Sequence, residues 1–185
     1  MEKQSDRDLA SVVLETVLYD FRAMKKLGEG ALAQLDDESV GWAPDGESNS
    51  AAVIVKHMAG NMISRWTDFL TSDGEKPSRK RDDEFIDDVS GLQEVMALWE
   101  SGWGVLFEAL EPLRPEDLLR EVTIRGQPHT VLQAIHRQIS HYAYHVGQLV
   151  YAAKARKSGE WKSLSIPRGQ SAGFNDAMAR KFGSR

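Results

Sequence analysis

The stretch Thr130-Val-Leu-Gln-Ala-Ile-His-Arg-Gln-Ile-Ser-His-Tyr-Ala-Tyr-His-Val-Gly-Gln-Leu-Val-Tyr-Ala-Ala-Lys-Ala-Arg-Lys157 decides how the chain is read. Thr130 and Gln133 form a capping box, in which each side chain satisfies a backbone N–H that the first helical turn leaves without a partner. Lys154, Arg156 and Lys157 stand at the other end, where cations suit the helix dipole. The pattern predicts one long helix from Thr130 to about Lys157. Just before it, Glu121 to Thr130 alternates around Arg125-Gly126 and predicts a small hairpin, marginal if left unsupported. Beyond it, Trp161 to Gly169 reads as a structured loop and Phe174 to Phe182 as at most a short helix.

Three more helices precede that segment. From about Asp6 to Leu35, Leu9, Val12, Val13, Val17, Phe21, Met24, Leu27, Leu32 and Leu35 recur every three to four residues and predict an amphipathic helix with one apolar stripe. Ser48 and Ser50 offer capping oxygens to a second helix, expected from Ala51 to Leu70. Ser90 with Gln93 reads as another capping box, opening a third helix to Leu110 that Pro112 and Pro115 terminate. The charged segment from Asp73 to Asp88 carries no helical period and reads as an exposed connection. Sixteen extended residues can reach about 50 Å at roughly 3.3 Å each, enough for a crossover between parallel helices. Four long amphipathic helices with almost no strand signal predict an all-α, four-helix bundle, a single domain over residues 1–185.

Length and composition agree with that reading. The 185 residues include 41% hydrophobic and 28% charged side chains, ordinary usage for a chain with a packed core. Net charge is −5, which argues against a general electrostatic hold on nucleic acid or anionic membrane. The charge is uneven: residues 154–185 hold eight Lys and Arg against Glu160 and Asp176. There is no cysteine, so disulfides, thiolate ligands and a cysteine nucleophile are excluded and any metal must be held by His or carboxylates. The polar N-terminal stretch and the short apolar runs, such as Ala51 to Val55, give the expectation of a cytoplasmic protein that neither spans nor anchors to a membrane.

Five histidines are present, and two of them, His141 and His145, lie four apart on the long helix. Residues so spaced point the same way, and two such imidazoles can chelate one metal ion. On spacing alone, two ordinary histidines with satisfied hydrogen bonds explain the pattern equally well. At about 100° per residue His136 lies on another face and cannot share their metal, while His129 reads as a loop residue beside Pro128. His57, among Val53, Ile54, Met58 and Met62 on helix two, is the third candidate. A lone His on an apolar face is ordinarily a core residue with a polar partner. Bundles nevertheless assemble metal sites from facing helices, and His57, His141 and His145 complete a three-His set that leaves a coordination position for water or substrate. Asn61 and Gln148 fall on the same faces, placed to orient a ligand or bind substrate, or else to form a buried amide pair. Tyr144, Tyr151, Trp66, Trp99 and Trp103 read first as core residues.

Val53-Ile-Val-Lys-His57-Met-Ala-Gly-Asn61 and His141-Tyr-Ala-Tyr-His145-Val-Gly-Gln148 resemble the DinB/YfiT-like family of metalloenzymes, and Ser163-Leu-Ser-Ile-Pro-Arg-Gly-Gln-Ser171 resembles the tail of one branch of it. The resemblance implies an up-down-down-up bundle with a long crossover between helices two and three. It also implies a divalent metal, zinc or nickel, on His57, His141 and His145, and a homodimer. Relatives include thiol S-transferases, which implies a low-molecular-weight thiol as co-substrate, and the basic tail with Arg168 offers a place for its carboxylates. The expected function is therefore a metal-dependent transferase or hydrolase that activates a thiol or water for a small-molecule substrate. The competing readings are a non-enzymatic metal- or ligand-binding dimeric bundle and a metal-free helical scaffold.

Overall fold

Asp8 caps the first helix, its carboxylate accepting the Ser11 backbone N–H at 2.9 Å. A computed structural model describes residues 8–183. Helix α1 spans Leu9–Leu32, so its end falls short of Leu35, and the expected start at Asp6 lies outside the described residues. The shortfall has a local cause: Asp36, extended at φ −127°, forms a capping box with Ser39 and opens a separate short helix, α2, over Asp37–Val40. Leu14, Val17, Phe21 and Leu32 form the buried face of α1. Leu9, Val12 and Leu27 are exposed, outside that face.

Helix α3 spans Ala51–Trp66, with Ser50 accepting the Val53 N–H at its N-cap. It stops before the expected Leu70, since Asp68 takes a left-handed φ of 49° and its carbonyl collects the Ser72 N–H and the Thr71 and Ser72 hydroxyls. Helix α4 spans Leu92–Leu110 and ends as expected, but its entry differs: Gly91 is the N-cap, and Ser90 bonds Glu94 instead of Gln93. The Asp37 carboxylate takes the Leu92 N–H at 2.8 Å in place of a local cap.

The small hairpin is present, with β1 Glu121–Ile124 antiparallel to β2 Gln127–Thr130, and its two-residue turn puts Arg125 at φ 55° and Gly126 at φ 72°. Positive φ at both positions is what a tight hairpin of this twist requires, and glycine meets it without steric cost. His129 therefore stands on a strand, not in a loop, with its Nδ1 2.9 Å from the Gln127 carbonyl. Helix α5 follows directly over Val131–Lys157, opened by the Thr130–Gln133 capping box that the sequence announces. Helix α6, Ser171–Phe182, buries none of its side chains.

The chain is thus mostly helical, with one two-stranded sheet. Helix α3 packs on α4 and α5, and α1 packs on α5 and α4. Among the four lies an aromatic core of Trp99, Trp103, Tyr142 and Phe21, with ring centroids 5.5 to 6.3 Å apart in edge-on and tilted pairs. Trp66 adds a buried hydrogen bond from its indole N–H to the Tyr142 hydroxyl at 3.1 Å. Tyr144 and Tyr151 are not core residues as expected: both stand exposed on the face of α5 turned away from this cluster. No helix among the described residues is long and apolar enough to cross a membrane.

The connection from Asp73 to Asp88 is the largest departure. It is expected to be an exposed tether, but it folds back over α3. The Asp73 carboxylate accepts the backbone N–H groups of Arg125 and Gly126, both at 2.8 Å, and the Gly74 N–H bonds the Thr123 carbonyl, so the connection is stapled to the hairpin turn. Its later part forms a 3₁₀ turn over Asp82–Phe85 that packs on α3 and buries Glu84.

Candidate metal centre

His57, Asn61 and Arg65 are spaced four apart and form one stripe along α3. Gln138, His141 and His145 form the facing stripe on α5. Where the stripes meet, His141 Nε2 lies 3.4 Å from His57 Nε2 and 3.1 Å from His145 Nε2, and one ligand atom from each histidine falls within 4.8 Å of the others. Sequence spacing pairs His141 with His145 and offers His57 as the third candidate, and the structure brings all three together.

Each outer histidine is held from behind. His57 Nδ1 lies 2.9 Å from a Glu84 carboxylate oxygen. A carboxylate is an acceptor only, so His57 carries its proton on Nδ1 and turns the Nε2 lone pair toward the other two rings. His145 Nδ1 lies 2.9 Å from the Gln148 amide oxygen, which selects the same tautomer. Gln148 thus orients a histidine, whereas Asn61 accepts the Tyr142 hydroxyl at 3.0 Å and ties the core to the site. The amide pair between them does not form.

Glu84 is itself fixed. Burial works to raise its pKa, but hydrogen bonds from Arg79 and then from His57 outweigh that and hold it below the ordinary carboxylate range. Arg79 binds both of its oxygens, Nε to Oε1 at 2.7 Å and Nη2 to Oε2 at 2.8 Å, in the bidentate geometry that charge-assisted pairs favour. A methyl at Gly60, one turn along α3 from His57, would stand 2.3 Å from Glu84 Oε1, so the bare backbone there is what admits the carboxylate. Phe85, the next residue of the turn, lays its ring 4.8 Å from that of His57.

The donor set fits a divalent cation. Three imidazole nitrogens with lone pairs aimed at one point repel unless a cation or proton sits among them. Nitrogens about 2.0–2.1 Å from a tetrahedral zinc lie roughly 3.3 Å apart, close to the separations found here. Burial first, and then the neighbouring charged forms, push His141 down to about 3 and His145 down to about 4. Both rings are therefore neutral at pH 7, the form a metal requires.

A pH dependence follows for protein stripped of metal by a chelator. In the unfolded chain these imidazoles take up protons near the ordinary 6.5, whereas folded His141 and His145 refuse them until about 3 to 4. The unfolded state then binds more protons, so stability falls as pH drops from about 6.5 towards 4. Thermal melts should show that fall between pH 7 and pH 5, and a smaller one in the double variant His141→Gln, His145→Gln. An equal fall in both proteins would assign it to other groups.

A family model described as "Protein of unknown function (DUF1572)" matches residues 8–170. The chain belongs to the DUF1572 family. A search of curated proteins finds no match, and none is found among solved structures. The family match spans α1 to α5 and stops one residue before α6 of this DUF1572 chain.

The histidines open into a cleft of about 430 Å³. Sequence reasoning missed most of its wall. Arg65 and Gln138 continue the two ligand stripes and were findable by the same helical spacing. Arg79, Arg81 and Arg125, with Glu84 behind the wall, come from a loop and a turn with no periodicity to reveal them. Arg168, offered by the sequence as a contact for a thiol's carboxylates, is exposed in the loop before α6 and does not line the cleft.

Proposed function

We propose that this chain is a metal-dependent enzyme of the DinB/YfiT-like type. In this reading His57, His141 and His145 hold one divalent metal, zinc or nickel, which when bound lowers the pKa of a water or thiol and so supplies a nucleophile at neutral pH. The single observation that carries it is the convergence of three Nε2 atoms at the floor of a cleft, two of them fixed in the ligating tautomer by Glu84 and Gln148. Three protein ligands with an open side are the catalytic arrangement, whereas structural sites close with four.

The residues around the triad have defined tasks. Glu84 and Arg79 hold the His57 ring, Gln148 holds the His145 ring, and Phe85 covers one face of His57 against water. Tyr142, through Asn61, fixes the spacing of α3 and α5. The mutual packing of α1, α3, α4 and α5 supports a four-helix bundle. His57 meets His145, and Arg65 lies within electrostatic reach of Arg137, so α3 and α5 run antiparallel, as an up-down-down-up order has it. The folded connection from Asp73 to Asp88 would then be its crossover.

The test is an assay of chelated against zinc- or nickel-loaded protein, with a low-molecular-weight thiol plus an electrophile in one arm and an ester in the other. Turnover in either arm that requires metal and is lost in His145→Ala is the expected result. Turnover independent of metal, or retained in His145→Ala, would overturn the proposal.

A further inference from the structure

The wall of the cleft carries five arginines, Arg65, Arg79, Arg81, Arg125 and Arg137, and no carboxylate. Behind the wall Glu84 and Glu75 answer part of that charge, and the exposed Asp82 stands 4.0 Å from Arg81. Glu84 is consumed by Arg79 and His57. Glu75 is shared among Arg79 at 3.2 Å, Arg125 at 3.4 Å and Arg65 at 3.8 Å. Cationic side chains therefore remain in excess around a concave, partly desolvated space, where an anion is attracted most strongly.

Arg65 is the decisive group. It is only 4% exposed, yet its Nε and Nη1 have no hydrogen-bond partner, and its one carboxylate neighbour stands beyond hydrogen-bonding distance. A buried guanidinium left in that state is costly, and native structures ordinarily satisfy such groups. Burial works hardest against its charge; Tyr142 and Glu75 favour the charge, while Arg137 and Arg79 oppose it. Arg137 forms no ion pair among the described residues. One helical position further on, Gln138 is 2% exposed and its amide oxygen is likewise without a partner. The buried, unsatisfied guanidinium of Arg65, the exposed cation of Arg137 and the unpartnered amide oxygen of Gln138 all border the same space as the three histidines.

We propose that this cleft is an oxyanion-binding site, in which Arg65 and Arg137 hold the carboxylate or phosphate of a small anionic substrate beside the histidine triad, and the Gln138 amide oxygen accepts from a hydroxyl or amine of the same molecule. In taking that anion as substrate, the inference rests on the enzymatic reading above. Planar guanidinium forks match both groups, and the arrangement positions the rest of the molecule toward His141 and His145. The positioning is an equilibrium effect of the arginines and needs no bond to form or break.

Isothermal titration of the full chain with inorganic phosphate in one arm and glutarate in the other tests it, with metal content measured on each sample. Saturable binding of either anion is expected, weakened about tenfold to a hundredfold in Arg137→Ala and in Arg65→Met while metal content stays at the wild-type level. Preference for phosphate assigns a phosphorylated substrate, and preference for glutarate a carboxylate. Arg137 is exposed, so its replacement leaves the fold intact even if Arg65→Met does not. Absence of heat with both anions, or binding unchanged in Arg137→Ala, would overturn the site. Binding lost in His145→Ala but not in Arg137→Ala would also overturn it, since the anion would then be a ligand of the metal alone. Arginine-dependent binding in wild-type protein that contains no metal would retain the anion site and remove the metal reading instead.

Discussion

Glu84→Ala is expected to weaken metal binding by about tenfold to a hundredfold and to cost about 3 kcal/mol of stability. The first effect follows from His57, whose Nδ1 loses the acceptor that fixes its tautomer and ring orientation. The second follows from Arg79, whose buried guanidinium makes two hydrogen bonds to Glu84 and would keep only Glu75. Removing one member of a buried pair costs more than the pair contributes, because the other charge stays desolvated. Glu84→Gln separates the two effects. It retains an oxygen for His57 and loses the charge opposite Arg79, so metal affinity should recover further than stability. Chelator competition reads the affinity and urea unfolding the stability. Wild-type affinity in Glu84→Ala would show that the loop contributes nothing to the histidine centre.

Trp103→Ala is expected to be the most damaging single change in the core, at about 3–5 kcal/mol. The side chain is fully buried and its ring contacts Phe21, Trp99, Phe107 and Tyr142. Deleting it leaves a cavity bounded by three helices, none of which can move in without parting from the others. Because a domain of this size is typically stable by only about 5–15 kcal/mol, the loss is a large share of the total. A fall in melting temperature of roughly 10 °C is anticipated. A loss below about 1 kcal/mol would mean that the aromatic cluster repacks around the gap, contrary to the close-packed interior described here.

Helix-scale features were legible because they depend on local spacing. The Thr130–Gln133 capping box, the end of α5 at Lys157 and the pairing of His141 with His145 follow from spacing along one helix, while His57 was added from the way bundles build sites between facing helices and from the family resemblance. The hairpin turn at Arg125-Gly126 was legible from alternation on either side of it. What escaped was set by contacts between segments far apart in sequence. Asp73 finds its partners at Arg125 and Gly126, Leu92 is capped by Asp37, and Glu84 reaches His57 across the site. A loop has no periodicity from which such pairings can be read. Tyr144 and Tyr151 failed for another reason: residue type implied burial, but their angle on α5 places them outside the packed face. The candidate site was thus half visible. Its ligands lay on helices, while the carboxylate that orients one of them and three of the arginines that line the cleft, Arg79, Arg81 and Arg125, lay on connections.

The central claim is that three imidazoles on two helices hold one metal. Elemental analysis of untagged wild-type protein and of the His57→Ala, His141→Ala and His145→Ala variants tests it most directly, each after exposure to zinc or nickel and removal of excess. About one divalent metal per wild-type chain, lost in each variant while the helical content is kept, is the predicted result. No metal in the wild type, or the same metal content in all four proteins, would contradict it.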